Sequence, residues 1–240
     1  MYPSLANKVA VVTGSGREGG LGQGILARFA AEGCRLVVSD LGQPNDKMGK
    51  GDIGTTDEME QVAEGLRARG AEVMTVPCDV RQAADCGTLI DRTLAAFGQV
   101  DILVNNAGIG YIMKSLFDLT PDDWSAVIDV NLTGAFLCTQ AAARAMVDRG
   151  AGGRIINIAS QAAKSGFPHM APYTASKHGM IGLTRSNALE LGPYGVTVNA
   201  VCPNHVTTQL GAKQNAYFSR YLGFDSVEAY LDAMARKNPM

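Results

Sequence analysis

The 240-residue chain has five cysteines, Cys34, Cys78, Cys86, Cys138 and Cys202, and no two of them form a CxxC pair. That scatter excludes a disulfide framework and a zinc site of paired cysteines. It leaves incidental or buried thiols, as expected in a reducing cytoplasm. An excess of one charge is also missing: 21 Lys and Arg stand against 23 Asp and Glu, for a net charge of -2. The chain therefore lacks the basic footprint of a nucleic-acid-binding protein. No uninterrupted apolar run approaches the roughly 18 residues that span a bilayer, so no membrane segment is expected. The opening Met-Tyr-Pro-Ser-Leu-Ala-Asn-Lys lacks the apolar stretch of a secretory signal. No His, Asp and Glu cluster suggests a metal, and there is no internal repeat, linker or low-complexity segment. What is present is an ordinary globular composition, 46% hydrophobic and 18% charged, of a length that suits one α/β domain spanning 1–240.

Short apolar runs alternate with longer amphipathic ones. Strands are predicted at Val9–Val12, Arg35–Ser39, Glu72–Pro77, Ile102–Asn105, Arg154–Ala159 and Val196–Val201. Most are continuously apolar, as strands covered on both faces are. Helices are predicted near Leu21–Glu32, Thr56–Arg69, Gln82–Phe97, Pro121–Arg149, Pro172–Leu191 and Ser226–Arg236. Gly33, Gly70, Gly98 and Gly192 stand as helix-ending glycines, and Pro121 and Pro172 suit first helical turns. With no two-residue hairpin signal, the alternation predicts a doubly wound parallel sheet, Rossmann-like, with helices on both faces. Leu41–Thr55 is a longer loop than such a fold usually needs.

"TGSGREGGLGQG" follows the first predicted strand. A literal G-x-G-x-x-G lies at Gly14, Gly16 and Gly19, and a second reading pairs Gly14 with Gly20-Leu21-Gly22. Leu21, Ile25 and Phe29 recur every four residues, which starts the helix near Gly20 and favours the second reading. Gly14 then turns off the strand, Gly20 and Gly22 stand at the helix entrance, and Gly24 allows close helix–strand contact. A pyrophosphate is the expected ligand, held by backbone N–H groups and the helix dipole. Asp40, about 20 residues on at the end of the second strand, can accept bonds from the adenosine ribose of NAD and repel a 2′-phosphate. Arg17 is the contrary signal, because its guanidinium could pair with that phosphate.

"YTASK" puts Tyr173 and Lys177 four residues apart on one helical face, and Tyr173 is the only tyrosine with a lysine at that spacing. An ammonium beside a phenol favours phenolate, which predicts a Tyr173 pKa lowered toward neutrality. The chain resembles the short-chain dehydrogenase/reductase family in its compact, single-domain branch. The resemblance rests on elements in family order: Thr13-Gly14 with Gly20-Leu21-Gly22, Cys78-Asp79-Val80, Asn105-Asn106-Ala107-Gly108, Asn131 in "DVNLTG", Ser160 in "NIAS", Tyr173 with Lys177, and Pro203 with Val206 and Thr208.

This resemblance implies roles for those positions. Tyr173 would be the catalytic acid/base, Lys177 would lower its pKa and bind the nicotinamide ribose, and Ser160 would hold the substrate oxygen. Asn131 would hold a relay water. Asp40 and Leu41 would meet the adenosine ribose, and Asp79 and Val80 the adenine. Asn106, Ala107 and Gly108 would line the cofactor floor, and Pro203, Val206 and Thr208 the nicotinamide side. The implied reaction is hydride exchange between NAD and a secondary alcohol or ketone. The helices 121–149 and 172–191 would pack across a two-fold axis, making a homodimer or homotetramer.

Three departures from the family pattern stand out. The glycine loop is two residues longer than TGxxxGxG, Asn204 replaces a glycine, and the family's usual final strand is not expected after "ARKNPM". Residues 204–239 form the expected substrate-binding loop or helical flap, with His205, Tyr217, Phe218 and Tyr221 in it. These aromatics suit an apolar lid or the core of the flap equally well. Phe167 and His169 are further wall candidates. An NADPH-dependent carbonyl or 3-ketoacyl reductase is the alternative, favoured by Arg17 and opposed by Asp40. A catalytically inactive nucleotide-binding protein is a third reading, opposed by the intact Asn131, Ser160, Tyr173 and Lys177 set.

Overall fold

The computed structural model describes residues 2–43, 54–110, 112–204, 206 and 209–237. Six strands form one parallel sheet: β1 (Val9–Thr13), β2 (Arg35–Asp40), β3 (Val73–Pro77), β4 (Ile102–Asn105), β5 (Gly153–Ile158) and β6 (Val196–Val201), in the spatial order β3-β2-β1-β4-β5-β6. This is the doubly wound order, with its switch point between β1 and β4, where ligands bind beyond the strand C-termini. The predicted fold class is thus the observed one. Among the described residues the sheet ends at β6, which pairs only with β5.

Strand periodicity explains the two cores. Val9 and Val11 of β1 face one side with Val37 and Leu103, while Ala10 and Val12 face the other with Leu36, Val38 and Val104. The first side is covered by α3 (Ala83–Phe97) and α5 (Gly134–Arg149), through Leu89, Ile90, Ala142 and Met146. The second is covered by α1 (Leu21–Ala31) and α2 (Thr56–Arg67), through Leu26, Met59, Val62 and Leu66. Buried on both faces, the central strands have no polar alternation, as their sequence indicated. Thr55 begins α2 with a reciprocal cap to Glu58, which satisfies two of the amides a helix start leaves open.

Several local expectations need correction. The predicted helix Pro121–Arg149 is interrupted: α4 (Pro121–Ile128) passes into a π-helical turn at Asp129–Thr133 before α5 begins. By length and composition this whole stretch could be taken for a membrane span, but 44% of the apolar window is buried inside the molecule, as in a core helix. Gly192 does not end α6 (Ala171–Leu191) in a left-handed turn. The chain continues through Gly192–Tyr194, and Gly195, with φ of 72°, makes the turn. The 204–239 segment contains two helices, α7 (Gln209–Tyr221) and α8 (Val227–Lys237), where only the second had been placed as an element. The long loop after Leu41 is pinched at its base, where Gly42 and Thr55 form a parallel bridge; residues 44–53 lie outside the described part.

Candidate active site

The switch point opens into a cleft of about 470 Å³. Its phosphate end is built by the turn from β1 into α1. Gly14 takes a φ of 63°, and a Cβ on it would lie 2.6 Å from the Ala107 backbone. Gly22 packs equally closely from behind: a Cβ there would lie 2.7 Å from the Gly14 carbonyl oxygen and from Ser15. Gly20 is the N-cap of α1 and offers no side chain to its first amides, which leaves them for an anion. The register Gly20-Leu21-Gly22 is therefore the one adopted. Gly24, expected at a close helix–strand contact, has open space around its Cβ position; that contact is made two residues earlier, at Gly22. Thr13 and Asn106 lock the turn to the end of β4. Thr13 Oγ1 accepts from the Asn106 and Ala107 amides at 3.2 and 3.1 Å. Asn106 Nδ2 donates to the Thr13 and Gly14 carbonyls at 2.9 and 2.8 Å.

At the adenosine end Asp40 is already engaged. Its Oδ1 accepts from Leu41 and Gly54 at 2.9 and 3.1 Å, and its Oδ2 from Gly16 at 3.0 Å. A carboxylate has about four lone-pair sites, and among the described residues three are taken. Burial raises the Asp40 pKa; the three amides and Arg17 oppose that shift. Beside it Ser39 is fully buried, and among the described residues its hydroxyl has no hydrogen-bond partner. Asp79 is clamped by Arg81, whose Nε and NH2 reach it at 2.8 and 2.6 Å, and this side-chain pairing chiefly holds Asp79 below its ordinary pKa. Arg81 is a lining residue that the sequence reading missed; its charge two residues after Asp79 was the available signal.

The reacting centre lies where β5, α6 and the loop after β4 meet. Ser160 Oγ accepts from the Ala162 amide at 3.1 Å, which leaves its own proton to be donated toward Tyr173. It is hydrogen-bonded to Tyr173, whose pKa is raised by burial and lowered in lesser measure by that bond. The expected lowering of Tyr173 is overturned. Lys177 Nζ donates to the Ile158 carbonyl at 2.8 Å and lies 5.6 Å from the Tyr173 ring centroid. Burial also brings Lys177 down to about 8, opposed by Cys202. Desolvation thus outweighs the ammonium in this centre.

Asn131 supports the centre from within the π-helical turn. Its Oδ1 accepts from Ile109 N–H at 2.8 Å, and its Nδ2 donates to the Ile109 carbonyl at 2.9 Å and to Ser176 Oγ at 3.1 Å. With no solvent exposure, this side chain braces the loop after β4. Gly110 is a second residue that was missed: a Cβ on it would lie 2.8 Å from Gln214 Nε2 and 2.9 Å from the Tyr173 ring. Its place directly after the "NNAGI" run was the readable hint.

Gly14, Gly20, Leu21, Asp40, Leu41, Asp79, Val80, Asn106, Ala107, Gly108, Ser160, Tyr173, Lys177, Pro203 and Val206 all line the one cleft. Gly22 and Asn131 act from behind it, and His205 and Thr208 lie outside the described residues. In the flap, Phe218 is buried with Met170 and Tyr230 and also lines the cleft, so it is core and wall at once. Tyr217 instead bonds the His169 ring and stacks on the exposed Tyr221, which makes His169 a structural residue. Phe167 is a wall residue, as expected.

Residues 8–217 match the short chain dehydrogenase family model. A 3-oxoacyl-[acyl-carrier-protein] reductase from Synechocystis is 39% identical over 89% of this chain and 80% of its own length. A 2-dehydro-3-deoxy-D-gluconate 5-dehydrogenase from Escherichia coli is 37% identical over 85% and 74%. The NAD+-bound structure of a xylitol dehydrogenase superposes with a TM-score of 0.86 at 30% identity, covering 98% of this chain and 86% of that one. With a catalytic-type cleft at the switch point and this likeness over nearly its whole length, the chain belongs to the short-chain dehydrogenase family of oxidoreductases.

Proposed function

We propose that the protein is an NAD-dependent oxidoreductase that interconverts a small secondary alcohol and its ketone. The observation that carries this reading is the convergence of Ser160, Tyr173 and Lys177 in a cleft whose other end carries Asp40. The chain's own groups suit the dinucleotide: the uncapped start of α1 suits a pyrophosphate, and the Asp40 carboxylate suits an adenosine ribose. Bound there, the nicotinamide supplies the hydride acceptor or donor.

Ser160 donates its proton to the substrate oxygen, where charge develops, and Tyr173 Oη gives or takes the alcohol proton. Lys177, anchored on the Ile158 carbonyl, holds positive charge beneath them. The substrate enters under α7 and α8, residues 204–239 serving as the flap of a single 1–240 domain. Exposed Phe136 on α5 and Leu189 on α6 support assembly of copies through those helices as a dimer or tetramer. The free thiols suit a cytoplasmic setting.

Tyr173→Phe should keep NADH binding and lose turnover by at least 100-fold, about 3 kcal/mol of barrier. Retained turnover sinks the assignment. A titration monitored by energy transfer from Trp124 should give tighter binding of NADH than of NADPH. The second reading, an NADPH-dependent carbonyl reductase, is favoured by Arg17 lining the adenosine end beside Asp40. The reverse order of affinities would establish it.

A further inference from the structure

The cleft-facing side of α7 is a helical stripe: Gly211, Asn215 and Phe218 recur at three- and four-residue steps and line the cavity, and Leu222 joins them just past the end of the helix. Tyr230 and Met234 of α8 face them four residues apart. Gln214 and Asn215 are the polar members of this wall, and Asn215 lies within the stripe. It is 8% exposed as a residue, it lines the cleft, and among the described residues its carboxamide makes no hydrogen bond to the protein. An amide that faces a cleft without a protein partner has its bonds completed by water or by whatever occupies the cleft. Its neighbour Gln214 is held differently, donating to the Gly110 carbonyl at 2.7 Å beside the Tyr173 ring. That bond ties α7 to the reacting centre and fixes where Asn215 stands relative to it.

The charged lining residues are distributed unevenly. Arg17, Asp40, Asp79 and Arg81 gather at the adenosine end, and Lys177 lies under Tyr173. None of the described lining residues of α7 and α8 is charged. A phosphate-bearing carrier or a carboxylate would find no counter-charge on this wall, whereas a neutral polar group would find an amide that both donates and accepts.

We infer that Asn215 reads the substrate: its carboxamide receives a second, neutral hydrogen-bonding group, a hydroxyl or carbonyl, on an otherwise apolar alcohol or ketone. This rests on the hydride-transfer reading above and narrows its substrate class. The test compares the wild-type chain with Asn215→Leu, using cyclohexanol and the cyclohexanediols as substrates with NAD+. Wild type should prefer at least one diol over cyclohexanol by roughly five- to a hundredfold in kcat/KM, and the variant should bring that ratio close to one. The ligand-free variant should melt at the same temperature as wild type or higher, because an unpaired amide has given way to an apolar group.

A diol preference unmoved by the substitution overturns the inference while leaving hydride transfer standing. A melting temperature that drops by several degrees also overturns it, since Asn215 would then be holding the fold together. Calorimetry of the same ligands on the NADH-bound protein separates the two readings. Diol binding that Asn215→Leu abolishes, with no oxidation by wild type, keeps the subsite and sinks hydride transfer.

Discussion

Burial moves the two titrating groups of the centre in opposite directions, Tyr173 upward and Lys177 down to about 8. At neutral pH the phenol therefore carries its proton and is ready to donate it to a ketone oxygen. Alcohol oxidation asks the same oxygen to have lost that proton. The expected result is asymmetric: kcat/KM for oxidation climbs steadily from pH 7 to pH 9, whereas ketone reduction does not rise over that range. Paired pH profiles in the two directions check it, and a flat oxidation profile contradicts it. Lys177 also links pH to folding. Its folded value of about 8 lies below the ordinary 10.5, so between these values the unfolded chain holds more protons and stability rises with pH. Below about 8 the cost of burying the charge stands in full. At this scale the meeting of Ser160, Tyr173 and Lys177 in one cleft was legible from spacing and family order. The direction of Tyr173's titration was not, because it depends on how completely the folded chain excludes water.

At the scale of the element, α1 holds two glycines with opposite physical duties. Gly22 has the turn backbone against it, whereas Gly24, two residues on, faces open space. Gly22→Ala should destabilise the protein by about 1–3 kcal/mol through overpacking and weaken NADH binding with it. Gly24→Ala should instead stabilise by about 0.5–1 kcal/mol, since a helix-interior glycine gives way to a better helix former. Denaturant melts of the two variants test the pair, and a Gly24 variant less stable than wild type would refute the assignment. The start of α1 was readable from the four-residue recurrence of Leu21, Ile25 and Phe29. The break between α4 and α5 was not. A π-helical turn only widens the hydrogen-bond ring by one residue and leaves no mark in composition; here it holds the buried Asn131.

At the scale of the whole molecule, the cleft occupies one end of the sheet and a buried acid ties the other. Asp101 accepts from the Val9 amide, Lys8, Gln99 and Arg149, joining the beginnings of β1 and β4 to the end of α5. Removing one partner of a buried ion pair typically costs about 3–5 kcal/mol. Asp101→Ala should accordingly lower unfolding free energy by about 3 kcal/mol at pH 7 while leaving NADH affinity unchanged. Burial pushes the Asp101 carboxyl up, but the Val9 amide, Lys8 and Arg149 together hold it below 3.8. Its contribution is present above that pH and is lost as acid passes through the lower, folded value. Acid titrations of both proteins should therefore converge. Here the strands and the fold class were legible because buried parallel strands are continuously apolar. The long-range assembly was not: Cys86 and Cys138 look unrelated in the sequence, yet their sulfurs lie 3.5 Å apart between α3 and α5.

Asp40 bears on how such a protein could change over generations. Its carboxylate is both the candidate selector of the dinucleotide and the knot that holds Gly16, Leu41 and Gly54 together. An apolar replacement would remove the repulsion toward a phosphate and, in the same step, strip three amides of their acceptor. A lineage shifting its cofactor preference would find the direct route closed at this position. The accessible path runs first through new bonds for those loops and only afterwards through the loss of the acid.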